Sequence, residues 1–250
     1  MPIASPPLSF PRLIAHRGLS ARAPENTLAA VRAAHAAGID WVELDVQRLG
    51  DGTPVIWHDR DVSRCSDGRG RLAAMDLAAA RRLDTGAWFA TAFAGERMAT
   101  LDAMLALLAE LGMGVNLELK VNRGHDPVAL AEAAVPAVME ALPFERRLVS
   151  SFDERALRAG RALAGPDRLA LGALFDRVPR DWQDRAEAVQ AVSVHANWKP
   201  LRAERARAIK AADYKLVCYT ANNPAAFAPR WDWGVDAVIS DDPTRFDTAS

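Results

Sequence analysis

The sequence predicts an α/β chain closed into a TIM (β/α)8 barrel. Three observations carry that expectation. Eight short β-like runs alternate with alanine-rich helical stretches. The 250 residues, 50% of them hydrophobic, are enough to build one large core. No Gly-x-Gly-x-x-Gly follows the first strand, which argues against an open dinucleotide-binding sheet. Strand–helix alternation points to a parallel sheet with helical crossovers, and eight repeats favour closure over an open doubly wound sheet.

The elements follow in order. Leu13–Ala15 is the first apolar run, and a helix from about Asn26 to Ala37 has Asn26 or Thr27 as its N-cap and Gly38 as its stop. Trp41–Val46 is the second strand. Apolar residues at helical spacing occupy Thr100–Leu111 up to Gly112, and Gly114–Leu119 alternates as a strand. Further strands are expected at Arg147–Ser151, Leu169–Phe175, Val189–His195, Lys215–Thr220 and Ala237–Ser240. Helical patterns lie at Glu154–Leu163, Leu201–Ala212 and Pro224–Trp233. The stretch between His58 and Thr100 is too long for a βα loop. It is expected to form a small insertion, at about 59–99, on the C-terminal face of a single domain spanning residues 1–250.

Thirty-one Lys plus Arg against 32 Asp plus Glu give a net charge of −1, so no global field attracts nucleic acid or an acidic membrane. Cys65 and Cys218 are too few for a disulfide framework or a thiolate metal site and are expected to be free thiols. Met1–Pro11 lacks a basic segment followed by an apolar stretch, and no run of about 18 apolar residues occurs anywhere. The expectation is a cytoplasmic protein without stable membrane association. No surface pattern marks a subunit interface, which leaves the oligomeric state open.

Chemistry concentrates in the first half of the chain. Glu43 and Asp45 stand two apart, so a strand places both carboxylates on one face, where they repel. A divalent cation such as Mg²⁺ or Ca²⁺ would relieve that repulsion. Glu118 and Lys120 repeat the spacing on the next full strand. On an open sheet such alternation marks a solvated face, whereas neither face of a closed parallel barrel meets bulk water. His16 and His58 each end a β-like run and can exchange protons near neutral pH. Arg17 offers a planar fork of donors suited to a phosphate, and Lys120 a second cation. His35 and His125 are expected at the surface, and Trp182, Trp198, Trp231 and Trp233 in packing. Trp88 and Phe89 either touch the substrate's alcohol group or hold down the insertion.

An ordered set of motifs carries a resemblance. His16-Arg17-Gly18, Pro24-Glu25-Asn26-Thr27, Glu43-Leu44-Asp45-Val46, Asp51-Gly52 with His58-Asp59, Glu118-Leu119-Lys120, Ser151-Phe152, and Gly234-Val235-Asp236 with Asp241-Asp242-Pro243 resemble the glycerophosphodiester phosphodiesterase family, from about Leu13 to Pro243. The resemblance implies a TIM barrel with an insertion after the second strand. It also implies one divalent ion on Glu43, Asp45 and Glu118, His16 and His58 as an acid/base pair, and Arg17 and Lys120 on the phosphate. The implied reaction is hydrolysis of a small glycerophosphodiester to sn-glycerol 3-phosphate and an alcohol, with the glycerol 2-hydroxyl as nucleophile and a cyclic phosphate that water opens.

The chain departs from the family where many members carry Trp-Thr-x-Asn and this one has Cys218-Tyr219-Thr220-Ala221-Asn222, a variant that resembles the compact bacterial cytoplasmic branch. Tyr219 either lines the pocket mouth or fills the barrel wall. His195, at the end of the sixth expected strand, is either a substrate contact or structural. Two other functions share the same residues. A lysophospholipase D-type activity would need a means of holding an acyl chain, and no amphipathic basic helix supplies one. A non-catalytic phosphoester-binding barrel would have lost a histidine or a carboxylate, and all are present.

Overall fold

The computed structural model describes residues 10–246. The expectation drawn from the N-terminal segment falls mostly on residues 1–9, outside that range. In chain order the elements are β1 (Leu13–His16), α1 (Leu28–Ala36), β2 (Trp41–Arg48), β3 (Pro54–Ile56), α2 (Leu77–Ala80), α3 (Leu101–Leu111), β4 (Gly114–Leu119), α4 (Pro127–Ala141), β5 (Arg147–Ser151), α5 (Glu154–Leu163), β6 (Leu171–Phe175), α6 (Trp182–Ala188), β7 (Ser193–Asn197), α7 (Ala203–Ala211), β8 (Lys215–Tyr219), α8 (Pro224–Phe227) and β9 (Ala237–Ser240). Strand order is β1-β9-β8-β7-β6-β5-β4-β2-β3, and a parallel pairing of β1 with β2 closes the ring. Eight parallel strands therefore form the expected barrel. β3 alone is antiparallel, a hairpin partner for the end of β2 from Val46 to Arg48.

Strand periodicity divides the residues between two faces. On β2, Val42, Leu44 and Val46 join Leu117, Leu119, Leu105 and Val135 in the core between sheet and helices. Trp41, Glu43, Asp45 and Gln47 take the other face, toward the lumen. Ile14, Trp41, Leu148, Ala170, Val217, Ala237 and Ile239 form a buried apolar cluster there, mostly from the N-terminal parts of their strands. Trp41 fits because Gly114 lies beside it: a Cβ on Gly114 would stand 2.3 Å from the indole. The N-terminal end of the lumen is thus plugged by carbon, and the polar residues of β1, β2 and β4 gather toward the C-terminal end.

Helix caps lie close to the expected places. Thr27, rather than Asn26, caps α1 by accepting from the Ala30 N–H, and Thr100 does the same for Ala103 at the start of α3. Asn26 adopts φ 58° instead and turns its side chain to the lumen. Beside the single-turn α2 of the insertion, two helices are additions to the expected pattern. α4, the longest, starts on an Asp126 cap with Pro127 in its first turn and tolerates Pro136 inside, a residue that normally breaks helical periodicity. α6 is short and mostly polar. Its end at Gln190, in a left-handed conformation (φ 48°), takes up residues read as the start of the sixth strand, so β7 begins at Ser193 rather than Val189. The segment expected as a helix at Pro224–Trp233 is one α turn followed by a 3₁₀ stretch.

The long segment after β3 has its own small core of Val55, Trp57, Val62, Cys65, Leu72, Leu83 and Met98. It carries α2 and two single 3₁₀ turns. No helix among the described residues is long and apolar enough to cross a membrane.

His195 is fully buried in the lumen wall, with its Nε2 3.0 Å from Ser193 Oγ. It has room because a Cβ on Gly172 would stand 2.6 Å from that nitrogen. Of the two roles left open for His195, its full burial matches the structural one. Burial pushes its pKa down from 6.5 to about 3. The unfolded chain binds a proton at this histidine below pH 6.5 and the native chain does not, so the contribution to stability is present above pH 6.5 and falls as pH drops toward 3. Chemical denaturation from pH 6 to pH 4 should show His195→Gln losing less stability per pH unit than wild type, by up to about 1.4 kcal/mol per unit.

Candidate active site

Strand register assembles the polar end of the lumen. His16 on β1 lies beside Glu43 on β2, and Asp45 lies beside Glu118 on β4. One carboxylate oxygen from each of Glu43, Asp45 and Glu118 lies within 4.8 Å of the others, and all three side chains are buried. Two cations answer them. Lys120 Nζ is 2.9 Å from Glu118 and 3.3 Å from Asp45. Arg17 donates its backbone N–H to Glu43 at 3.3 Å, and its Nε is 3.3 Å from Asp45. Asn26 clamps Asp45 twice, donating from Nδ2 at 2.9 Å and accepting the Asp45 N–H at 3.2 Å.

Burial and proximity set the charges. Burial would raise Asp45, but Lys120, Arg17, His58 and the Asn26 hydrogen bond outweigh it and hold the carboxyl well below its usual range. Glu43 goes the other way: burial, then the charges of Asp45 and Glu118, push it well up. Glu118 is pushed up to about 7 by burial and by Asp45, against the pull of Lys120. Three buried carboxylates, one ionised and two resisting ionisation, form a donor set that fits a hard divalent cation.

His16 and His58 are each held at Nδ1 by a carboxylate. His16 Nδ1 lies 2.5 Å from Asp241 Oδ1, just beyond β9, and its Nε2 is 3.8 Å from Glu43. Asp241 is fixed in turn by Ser20 Oγ at 3.2 Å and by the Asn222 side chain. His58 Nδ1 lies 2.7 Å from Asp59 Oδ1. The His58 loop is tied down by amides: Gln47 donates to the carbonyls of Trp57 and Asp59 at 2.7 and 3.0 Å. Asn122 donates to Gln47 and to the His58 carbonyl. His58 therefore follows the antiparallel β3, not a barrel strand. Burial lowers its pKa, as do the charges of Arg17 and Lys120, while Asp45 and the Asp59 hydrogen bond oppose the shift.

The structure thus brings together His16, Arg17, Glu43, Asp45, His58, Glu118 and Lys120, and leaves His195 in the barrel interior. Tyr219 stands at the wall beside this group. Its hydroxyl donates to the Phe175 carbonyl at 2.9 Å, and its ring meets Phe152 edge-on at 5.9 Å. Phe152, half exposed, has Lys120 Nζ 5.8 Å from its ring centre. A hollow of about 340 Å³ opens beside Glu118, Lys120 and Phe152, and another of about 400 Å³ beside His16, Arg17, Glu25 and Asp241. Asn26, Gln47, Asn122 and Arg64 were not named as site residues from the sequence. Two-residue periodicity of β2 pointed at Gln47, whereas Arg64 lies in irregular chain where no spacing singles it out.

Comparison with known proteins agrees with this geometry. The model of the glycerophosphoryl diester phosphodiesterase family matches residues 16–245. A glycerophosphodiester phosphodiesterase of Caldanaerobacter subterraneus is 34% identical over 232 residues, spanning 92% of this chain and 94% of that protein. Among solved structures, an Oleispira antarctica phosphodiesterase in complex with its product sn-glycerol 3-phosphate is 37% identical, with a TM-score of 0.89 and 94% of each chain covered. A glycerophosphodiester phosphodiesterase of Agrobacterium tumefaciens is 25% identical, with a TM-score of 0.77 over 95% of this chain and 99% of that one. The site and fold are those of a phosphodiesterase-type barrel enzyme. The chain belongs to the glycerophosphoryl diester phosphodiesterase family.

The raised pKa of Glu118 has a measurable sign. The native metal-free protein keeps its proton up to about pH 7, whereas the unfolded chain releases it near 4.5, so stability falls as pH rises from 4.5 to about 7 and levels off above that. Glu118→Gln should flatten that decline in thermal denaturation between pH 5 and 7. A divalent cation should raise the wild-type Tm, with about 2.7 kcal/mol of stabilisation at a hundredfold excess over Kd, and leave Glu43→Gln unmoved.

Proposed function

We propose that this chain, as one barrel domain with its insertion, hydrolyses small glycerophosphodiesters to sn-glycerol 3-phosphate and an alcohol, with a divalent cation, Mg²⁺ or Ca²⁺, on Glu43, Asp45 and Glu118. The observation that carries the reading is the pairing of two histidines, each oriented by a carboxylate, across a buried acidic triad and two cations. Further support is the Oleispira relative, whose structure holds sn-glycerol 3-phosphate. Fully ionised, three carboxylates against Arg17 and Lys120 leave one excess negative charge, and with a divalent ion bound the balance becomes one positive. That is the complement of the single charge of a phosphodiester. The bound ion would withdraw electron density from the phosphoryl oxygens.

The protein groups divide the remaining work. A carboxylate on Nδ1 fixes the proton there and turns Nε2 toward the site, as in other His–carboxylate pairs. His58, kept neutral by burial and by the charges of Arg17 and Lys120, accepts the proton of the glycerol 2-hydroxyl as it attacks phosphorus. His16, placed between Asp241 and Glu43, gives a proton to the departing alcohol oxygen. Arg17 and Lys120 stabilise charge on the non-bridging oxygens. The cyclic phosphate is opened by water with the two histidine roles reversed. Tyr219 and Phe152 flank the wall where the substrate's carbon atoms rest.

His16→Ala and His58→Ala should each lower kcat on glycerophosphocholine by about 10²–10⁴-fold. Excess chelator should abolish release of glycerol 3-phosphate, and added Mg²⁺ or Ca²⁺ should restore it. Near-normal turnover in both variants, or full activity in chelator, would remove the basis of this reading.

A further inference from the structure

The insertion reaches the site through one side chain. Arg64 lies between Val62 and Cys65, both buried in the core of the insertion, so its backbone is fixed there. Its Nε donates to Asp59 Oδ2 at 2.6 Å, and its two terminal nitrogens donate to Glu25 Oε2 and Oε1 at 2.7 Å each. Asp59 uses its other oxygen to hold His58 Nδ1, and Glu25 Oε1 also accepts from Arg17 at 2.6 Å. One planar guanidinium therefore spans the carboxylate behind a histidine and the carboxylate behind the phosphate-side arginine.

We propose that Arg64 is a positioning residue for hydrolysis, locking His58 through Asp59 and Arg17 through Glu25 into one rigid relay contributed by the insertion. The proposal rests on the acid/base reading of His58. Arg64 is partly exposed, and ion pairs of that kind add little to stability, so the role of these three short hydrogen bonds is geometric. Lysine, a point charge on a flexible stem, has no fork to bridge two carboxylates. The relay also gives the insertion a function in the site. A residue with no substrate contact sets the angle at which the imidazole meets its proton, where small misplacements are costly.

The test measures kcat and KM separately on glycerophosphocholine in saturating divalent cation for wild type, Arg64→Met, Arg64→Lys, Arg64→Ala and His58→Ala, with Tm recorded for each. The expected result is a kcat about 10–100-fold lower in Arg64→Met at nearly unchanged KM and Tm. Arg64→Lys should recover only part of the loss, and millimolar guanidinium should raise kcat of Arg64→Ala but not of His58→Ala. A raised KM at unchanged kcat would make Arg64 a substrate contact and overturn the relay, as would wild-type turnover in Arg64→Met. A large fall in Tm in both Arg64→Met and Arg64→Lys, without guanidinium rescue, would make the role structural and overturn it too. Wild-type turnover in His58→Ala would instead overturn the acid/base reading. Loss of activity there beside an active Arg64→Met would overturn the relay alone.

Discussion

Mutual repulsion among Glu43, Asp45 and Glu118 is the constraint around which the upper barrel is arranged. Register fixes the three on adjacent strands, and carbon fills the lumen toward its N-terminal end, so the charges can neither separate nor find bulk water. Two cations, one amide and the raised proton affinity of two glutamates hold the arrangement together. A site that is strained by its own charge is a site prepared for an added cation. Arg17 and Lys120 both neutralise Asp45, and under the proposed function they would also meet the charge of a phosphodiester.

The two histidines are oriented by the same chemistry obtained in different ways. His16 takes its carboxylate from the far end of the chain, because closure of the barrel places β9 beside β1 and so brings Asp241 to Nδ1. His58 takes its carboxylate from the next residue, and rigidity has to be imported: Gln47 and Asn122 pin the backbone while Arg64 pins Asp59. The barrel itself suffices for the first histidine. An irregular loop holds the second, and that loop needs a core of its own, which the insertion provides.

What was legible in the sequence follows from period and adjacency. Spacing by two placed Glu43 with Asp45 on one face of β2 and paired Glu118 with Lys120 at the end of β4, and the run of strands implied closure, whereas the grouping of the three carboxylates around one ion came from the family resemblance. His195 shows the limit of the same logic. A histidine near a strand end reads as a site residue, yet β7 starts four residues later than Val189, and His195 consequently sits mid-strand, deeper in the lumen. The boundary was hidden because an apolar helix end, Val189 with Ala191, looks like the beginning of a strand. Helix α4 was obscured for the opposite reason, since Pro136 interrupts a pattern that tertiary packing nevertheless sustains.

Residues that hold other residues in place were the least legible. Asn26 read as one of two helix caps, and only its left-handed backbone, leaving the cap to Thr27, frees the amide to grip Asp45. Arg64 read as one of many charges in an irregular stretch. Its geometry depends on three separate segments meeting: the β1–α1 loop with Glu25, the β3 exit with Asp59, and the insertion core beneath Val62 and Cys65. No local pattern encodes such a meeting. Side chains that touch metal or phosphate must be of particular types at particular strand positions, so the period of the strand exposes them. A side chain that orients them is fixed by long-range packing alone, and its contribution becomes visible when the hydrogen bonds are followed outward from the histidines.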